Sequence, residues 1–127
     1  MANDVKPAVG TVVWTDLTVP DAESVKNFYC QVVGWKASPH NMGEYFDFDI
    51  QAPTNGQTVA GICHARGPNT NMPAQWIVYV VVKNAADSAR KCEELGGKVV
   101  DGPRKMGSGD FCVVQDPAGA MLALIEG

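Results

Sequence analysis

Residues 11–35 read TVVWTDLTVPDAESVKNFYCQVVGW, and residues 75–100 read QWIVYVVVKNAADSARKCEELGGKVV. The first stretch opens as a strand, with Val12, Trp14, Asp16 and Thr18 on one face and Val13, Thr15, Leu17 and Val19 on the other. Pro20 ends the strand, and Asp21 is placed to cap a helix by accepting one of its orphan amide hydrogens. Val25, Phe28, Tyr29 and Val32 then recur at helical spacing, and Gly34 can take the left-handed conformation that stops a helix. The second stretch repeats that order. A strand leads to a cap at Asn84, an apolar stripe of Ala85, Ala89, Cys92 and Leu95, and a stop at Gly96 or Gly97.

The correspondence runs at a constant offset of 63 residues: Gly34 to Gly97, Val19 to Val82, Asp47-Phe48 to Asp110-Phe111, Gly56 to Gly119. Cap, stop and turn signals fall into this register without a gap, so the chain reads as two copies of one module. Working outward, the first copy has strands at 11–19, 35–38, 44–50 and 58–65, a helix at 22–33, and turns at 39–43 and 53–56. The second has strands at 76–83, 98–101, 109–115 and 120–126, a helix at 85–95, a loop at 102–107 and a turn at 116–119. Between them RGPNTNMP, residues 66–73, has the composition of a linker. The expectation is a single α+β domain, 1–127, of two tandem βαβββ modules, 10–65 and 75–127, joined by 66–74, with largely antiparallel sheets.

A chain of 127 residues, 46% hydrophobic and 19% charged, can bury a core of its own and is not a disordered sequence. Its formal net charge of −4 argues against a nucleic-acid or anionic-membrane partner. No apolar run reaches membrane-spanning length, and the start, MANDVKPAVG, lacks the regions of a signal peptide, so a cytoplasmic location is expected. Cys30, Cys63, Cys92 and Cys112 show no C-x-x-C spacing and read as buried free thiols rather than as disulfides or a zinc site. No nucleophile elbow, P-loop or dinucleotide fingerprint is present.

Three stretches together resemble the vicinal oxygen chelate superfamily, which includes glyoxalases, bleomycin-resistance proteins and ring-cleaving dioxygenases. They are VPDAESVKNFYCQVVGW at 19–35, ELGG at 94–97 and QDPAGAMLALIE at 115–126, the last similar to the family's D-P-x-G turn and final strand. The resemblance implies curled sheets around a shared cleft, and in the enzymes a divalent metal held by one residue from the first and one from the fourth strand of each module. It also implies a homodimer.

Carried over one at a time, the ligand positions are Trp14, seven residues before Asp21, and Ala60, four after Gly56. Their counterparts in the second module are Ile77, by the repeat offset, and Ala123, four after Gly119. None offers a carboxylate or imidazole to a divalent ion. The expectation is therefore a protein without a metal or other cofactor, binding or sequestering a small organic or aromatic molecule. The rival is a glyoxalase-like lyase or dioxygenase with an atypical metal set of His64, Asp16 and Glu126.

The candidate ligand-binding residues are Trp14, Asp16, Phe48, His64, Tyr79, Phe111 and Met121. By strand parity His64 shares the face of Ala60 and Ile62; it reads either as a ligand contact or as a hydrogen-bonded strand end. Asp16, the offset partner of Tyr79, is either a polar anchor for a ligand or a structural acceptor. Phe48 and Phe111 fit a cleft or the underside of a helix, since parity does not say which face is which. Met106-Gly107-Ser108-Gly109 reads as a cover for a ligand or as a plain strand connection, and His40 as a solvated turn residue.

Overall fold

The computed structural model describes residues 7–127; the first six residues of the polar lead-in lie outside the described residues. The chain divides into two compact units, one of residues 15–76 and one of residues up to 14 together with 77–127. Both boundaries fall beside a strand residue, at Trp14 and Trp76, so the segment 66–74 belongs with residues 15–76. It carries a short 3-10 turn at Gly67–Asn69.

In the unit of residues 15–76 the elements run β1 (Val12–Val19), α1 (Ala22–Val33), β2 (Lys36–Asn41), β3 (Phe46–Gln51) and β4 (Thr58–His64). The strand order is β2-β3-β4-β1, antiparallel except that β1 lies parallel to β4. The Asp21 side chain accepts the Ser24 amide at 3.1 Å, and Gly34 closes α1 at φ 86°. Against the sheet the helix packs Ala22, Val25 and Tyr29 onto Leu17, Phe48, Ile50, Ala60 and Ile62. Tyr29 also joins Trp35 and Trp76, whose indole N–H donates to the tyrosine oxygen at 3.1 Å. Phe28, Val32 and Val33 remain exposed, so the apolar stripe of α1 is wider than the surface it covers.

In the other unit the order is β5 (Trp76–Val82), α2 (Ala85–Glu94), β6 (Lys98–Met106), β7 (Gly109–Gln115) and β8 (Met121–Glu126). Here the strands lie β5-β8-β7-β6, with β5 parallel to β8 and the rest antiparallel. The Asn84 side chain caps α2 through the Asp87 amide at 2.8 Å. Ala85, Ala89 and Cys92 pack on Cys112, Val114, Leu122 and Leu124. The start of β1 also belongs to this unit: the Gly10 amide donates to the Val81 carbonyl at 2.8 Å, and Val81 donates to Thr11 at 2.9 Å.

The constant offset does not survive. The left-handed glycine after α2 is Gly96, at φ 93°, not Gly97. Gly97 is small for a different reason, because a Cβ there would sit 2.8 Å from the Gln115 carbonyl oxygen and 2.5 Å from the Cys92 sulfur. Asp16 stands opposite Gly61 whereas Tyr79 stands opposite Ala123, and Phe48 pairs with Ile62 whereas Cys112 pairs with Leu124. Phe48 therefore corresponds to Cys112 rather than to Phe111, a slip of one residue that moves a side chain to the other face of a sheet. Two element boundaries also differ from expectation. β2 continues through Pro39 to Asn41, and the expected loop at 102–107 is mostly strand, with β6 running to Met106 through two register shifts. A bulged edge strand tolerates Pro103 there, since it need not donate to a ladder.

Candidate functional site

Each sheet has a face turned away from its helix, and the register fixes what stands on it. In the first, Asp16 and Thr18 of β1 stand opposite Gly61 and Cys63 of β4, and Gly61 stands opposite Asp49 of β3. Alternation places Asp47 on the same face. This face is polar and acidic. Asp47, with 9% of its side chain exposed, accepts the His64 backbone amide at 2.8 Å and a hydrogen bond from the Cys63 thiol. Burial pushes that thiol far above its usual range, and the carboxylates of Asp16, Asp47 and Asp49 add to the effect. A thiol held protonated in this way is a poor nucleophile.

His64 ends β4 on the side of Ala60 and Ile62, as parity requires. Its ring meets Tyr45 edge-on at 5.5 Å and lies 6.4 Å from Phe48. The Nδ1 atom is buried without a hydrogen-bond partner, 3.4 Å from an Asp47 oxygen. His40 is exposed but lies in β2, with Nδ1 3.4 Å from Asp49. Phe48 and Ala60 belong to the core beneath α1, with Lys26 reaching over the Phe48 ring at 4.7 Å. That corrects two placements. Phe48 does not line the helix-free face, and the position across from Asp16, matching Ala123 across from Tyr79, is Gly61 rather than Ala60.

The helix-free face of the second sheet has the opposite chemistry. Tyr79 stands opposite Ala123, Val113 opposite Ala123, Phe111 opposite Ile125 and Gln115 opposite Met121. Ile77, Tyr79, Phe111, Val113 and Ala123 are buried, and Met121 is half-buried. The Tyr79 and Phe111 rings lie nearly parallel, 20° apart in plane with centroids 6.4 Å apart. Over the Phe111 ring, at 4.5 Å, sits the Arg104 guanidinium, which donates to both oxygens of Asp101 at 3.1 and 2.9 Å. Arg104 and Asp101 were not legible as site residues, because the strand carrying Arg104 reads as a loop. Trp14, half-buried, follows the Gly10–Thr11 segment that runs beside Val81 in the same unit. Met106 pairs with Gly109 across a two-residue turn at Gly107-Ser108, so this segment is a tight hairpin and not a cover.

The residues at the positions that the resemblance gives as metal ligands do not fit a metal. Trp14, Ala60, Ile77 and Ala123, and likewise Gly61 across from Asp16, carry no donor suited to a divalent ion. Glu126 is engaged elsewhere: its two oxygens accept the Ala85 amide at 2.8 Å and the Asp110 amide at 3.1 Å. Those amides, the Ala85 bond foremost, hold its carboxyl below the usual range. Asp16 and His64 stand on opposite faces of their sheet. Among the described residues no three His, Cys, Asp or Glu side chains come together as a metal site. Nor is any described helix long and apolar enough to cross a membrane.

The model of the Glyoxalase/Bleomycin resistance protein/Dioxygenase superfamily matches residues 11–124. The chain belongs to that superfamily. Within it, the anthracycline biosynthesis protein DnrV of Streptomyces peucetius is 32% identical over 133 aligned positions, which cover 92% of this chain and 47% of DnrV. The CFP32 protein of Mycobacterium bovis is 29% identical over 118 positions, covering 92% of this chain and 44% of that one. This chain thus spans less than half the length of the curated relatives it matches. Among solved structures, Streptomyces coelicolor methylmalonyl-CoA epimerase superposes with a TM-score of 0.53 at 12% identity, covering 94% of this chain and 96% of the epimerase. At that identity the likeness speaks to the fold alone.

Proposed function

We propose that this superfamily member binds a small, flat organic molecule without a metal, on the helix-free face that carries Tyr79 and Phe111. The observation that supports this reading is the pairing of that face with the ligand positions. Ile77 and Ala123, two of the positions that the resemblance gives as metal ligands, share this face with Tyr79, Phe111 and Val113, and Trp14, a third, belongs to the same unit. Indole, phenol and phenyl groups bury large apolar areas and stack on planar rings. The Arg104 guanidinium over the Phe111 ring is ion-paired with Asp101. Since these side chains are buried as they stand, a ligand enters only as what covers them gives way. In this reading Met121 borders the ligand, while Asp16 and His64 serve the first sheet and not the ligand. The proposal includes two βαβββ modules related by superposition, a homodimer, and a cytoplasmic location.

DnrV carries an anthracycline in its name, and a polycyclic planar ring is the chemistry such a face would take. The test uses protein dialysed against EDTA and an anthracycline as the probe. Saturable quenching of tryptophan fluorescence is expected, reduced in Trp14→Phe and kept in Trp35→Phe and Trp76→Phe. Binding that appears only after nickel, zinc, manganese or iron is restored would overturn the reading in favour of a metal-dependent lyase or dioxygenase. Light scattering checks the homodimer and cell fractionation the location.

A further inference from the structure

A second site is built at the far end of β4, in the unit of residues 15–76. The turn from β2 to β3, Met42 to Tyr45, and the chain leaving β4, Arg66 to Pro68, border an open depression of about 450 Å³. Both walls are held by local bonds. The Met42 amide donates to the Tyr45 carbonyl at 2.9 Å, and the Gly43 amide donates to the Asn41 side chain at 2.8 Å. Across from them, the Asn69 amide donates to the Arg66 carbonyl at 2.9 Å and closes the 3-10 turn.

The Arg66 guanidinium lies over the Tyr45 ring, 4.2 Å from its centre. A guanidinium held over a ring by its face keeps N–H groups at its edge for other partners, and such an edge takes a carboxylate through two parallel hydrogen bonds. Arg66 is exposed, and among the described residues it has no acid within ion-pair distance. The other arginines that the ion pairs record, Arg90 and Arg104, are each held by an aspartate three residues away. The Tyr45 ring in turn meets the His64 ring edge-on, with centroids 5.5 Å apart. The depression therefore has a cation held over an aromatic ring. Met42 and Pro68 supply apolar wall, and Glu44 supplies one negative charge.

We propose that this depression is a binding site for a small aromatic or aliphatic monocarboxylate, its carboxylate paired with Arg66 and its apolar part against Met42 and Pro68. Glu44 sets the charge limit: a dianion such as phosphate meets repulsion that a monocarboxylate can turn away from. The site shares no residue with the Tyr79 face, and the two readings stand or fall separately.

The test is a heteronuclear NMR titration of the full chain with benzoate, with inorganic phosphate as the comparison. Benzoate is expected to shift the amides of residues 42–45, 66 and 67 saturably in the millimolar range, with phosphate at least several-fold weaker. Arg66→Gln should weaken benzoate binding about tenfold, and Glu44→Gln should narrow the gap between benzoate and phosphate. Tyr45→Leu, which removes the support and keeps the cation, should weaken benzoate less than Arg66→Gln does. Lys98→Gln, at an exposed position of β6, should leave the titration unchanged. Absence of saturable shifts at these residues up to roughly 50 mM benzoate, or shifts of equal size in Arg66→Gln, would overturn the proposal. Shifts confined to Tyr79, Phe111 and Val113 would also overturn it, while favouring the ligand reading of that other face.

Discussion

The two units have the same order of elements and opposite chemistry on the strand faces their helices leave uncovered. Across from each other in the first stand Asp16, Thr18, Asp49 and Cys63, with Asp47 beside them. In the second the corresponding surface is Tyr79, Val81, Val113, Ile125 and Phe111. Each set is satisfied in its own way. Asp47 takes up the His64 amide and the Cys63 thiol, while Tyr79 and Phe111 stack under Arg104. The strand ends differ as well. His64 and Glu126 occupy matching places, opposite Val19 and Val82, yet Glu126 ties β8 to the first amide of α2 and to β7. One topology thus hosts a polar sheet face in one unit and an apolar, ring-lined one in the other, and function follows the side chains rather than the fold.

The comparison breaks most sharply at the two phenylalanines. Phe48→Ala and Phe111→Ala each remove a buried ring and should cost about 3–5 kcal/mol in urea unfolding. Only Phe111→Ala should also abolish binding of an anthracycline, because Phe48 lies beneath α1. Equal loss of binding in both would place the ligand on the wrong sheet. A smaller effect is expected at Asp47. Replacing it by alanine leaves the His64 amide without its acceptor, at a cost of about 1–3 kcal/mol. The same change should speed alkylation of Cys63 near pH 8, since one carboxylate that keeps the thiol protonated is gone. An unchanged alkylation rate would show that burial alone protects it.

On the second sheet two titrations sharpen the contrast from opposite ends of the pH scale. Burial, with Cys92 and Asp101 adding to it, pushes the Cys112 thiol up to about 11 from 9.0. A raised folded value means that the unfolded chain loses its proton first, so the contribution is full below pH 9 and is lost as the pH rises toward 11. Stability of the wild type should fall through that window more steeply than that of Cys112→Ala, as read by urea midpoints at each pH. Glu126 works the other way. Its lowered value favours the folded chain above the ordinary carboxylate range and is lost as the pH falls through the folded value. Glu126→Gln should therefore be less stable than wild type at pH 7 and no less stable in strong acid.

Much of this was legible in the residues. The caps Asp21 and Asn84, the span of α1, the stop at Gly34 and the span of β7 all follow from local chemistry that acts within a turn or a strand. What the sequence could not carry was register. Signals such as Gly56 and Gly119 mark turns, but the residues between a turn and its strand can shift by one, as β3 does between Ile50 and Gln51. The registers put Phe48 in the core beneath α1 and Phe111 on the face away from α2, and they set Gly61 rather than Ala60 across from Asp16. β6 hid Arg104 in a related way, since Gly102-Pro103 reads as a break while the strand absorbs it in two register shifts.

The most direct measurement is a methyl NMR titration of the EDTA-dialysed protein with an anthracycline, following Ile77, Val113 and Met121 against Ile50 and Ile62. Metal-free binding on the aromatic face predicts saturable shifts at the first three, with the two isoleucines beneath α1 unmoved. Shifts centred on Ile50 and Ile62, or none until a divalent metal is added, would contradict it.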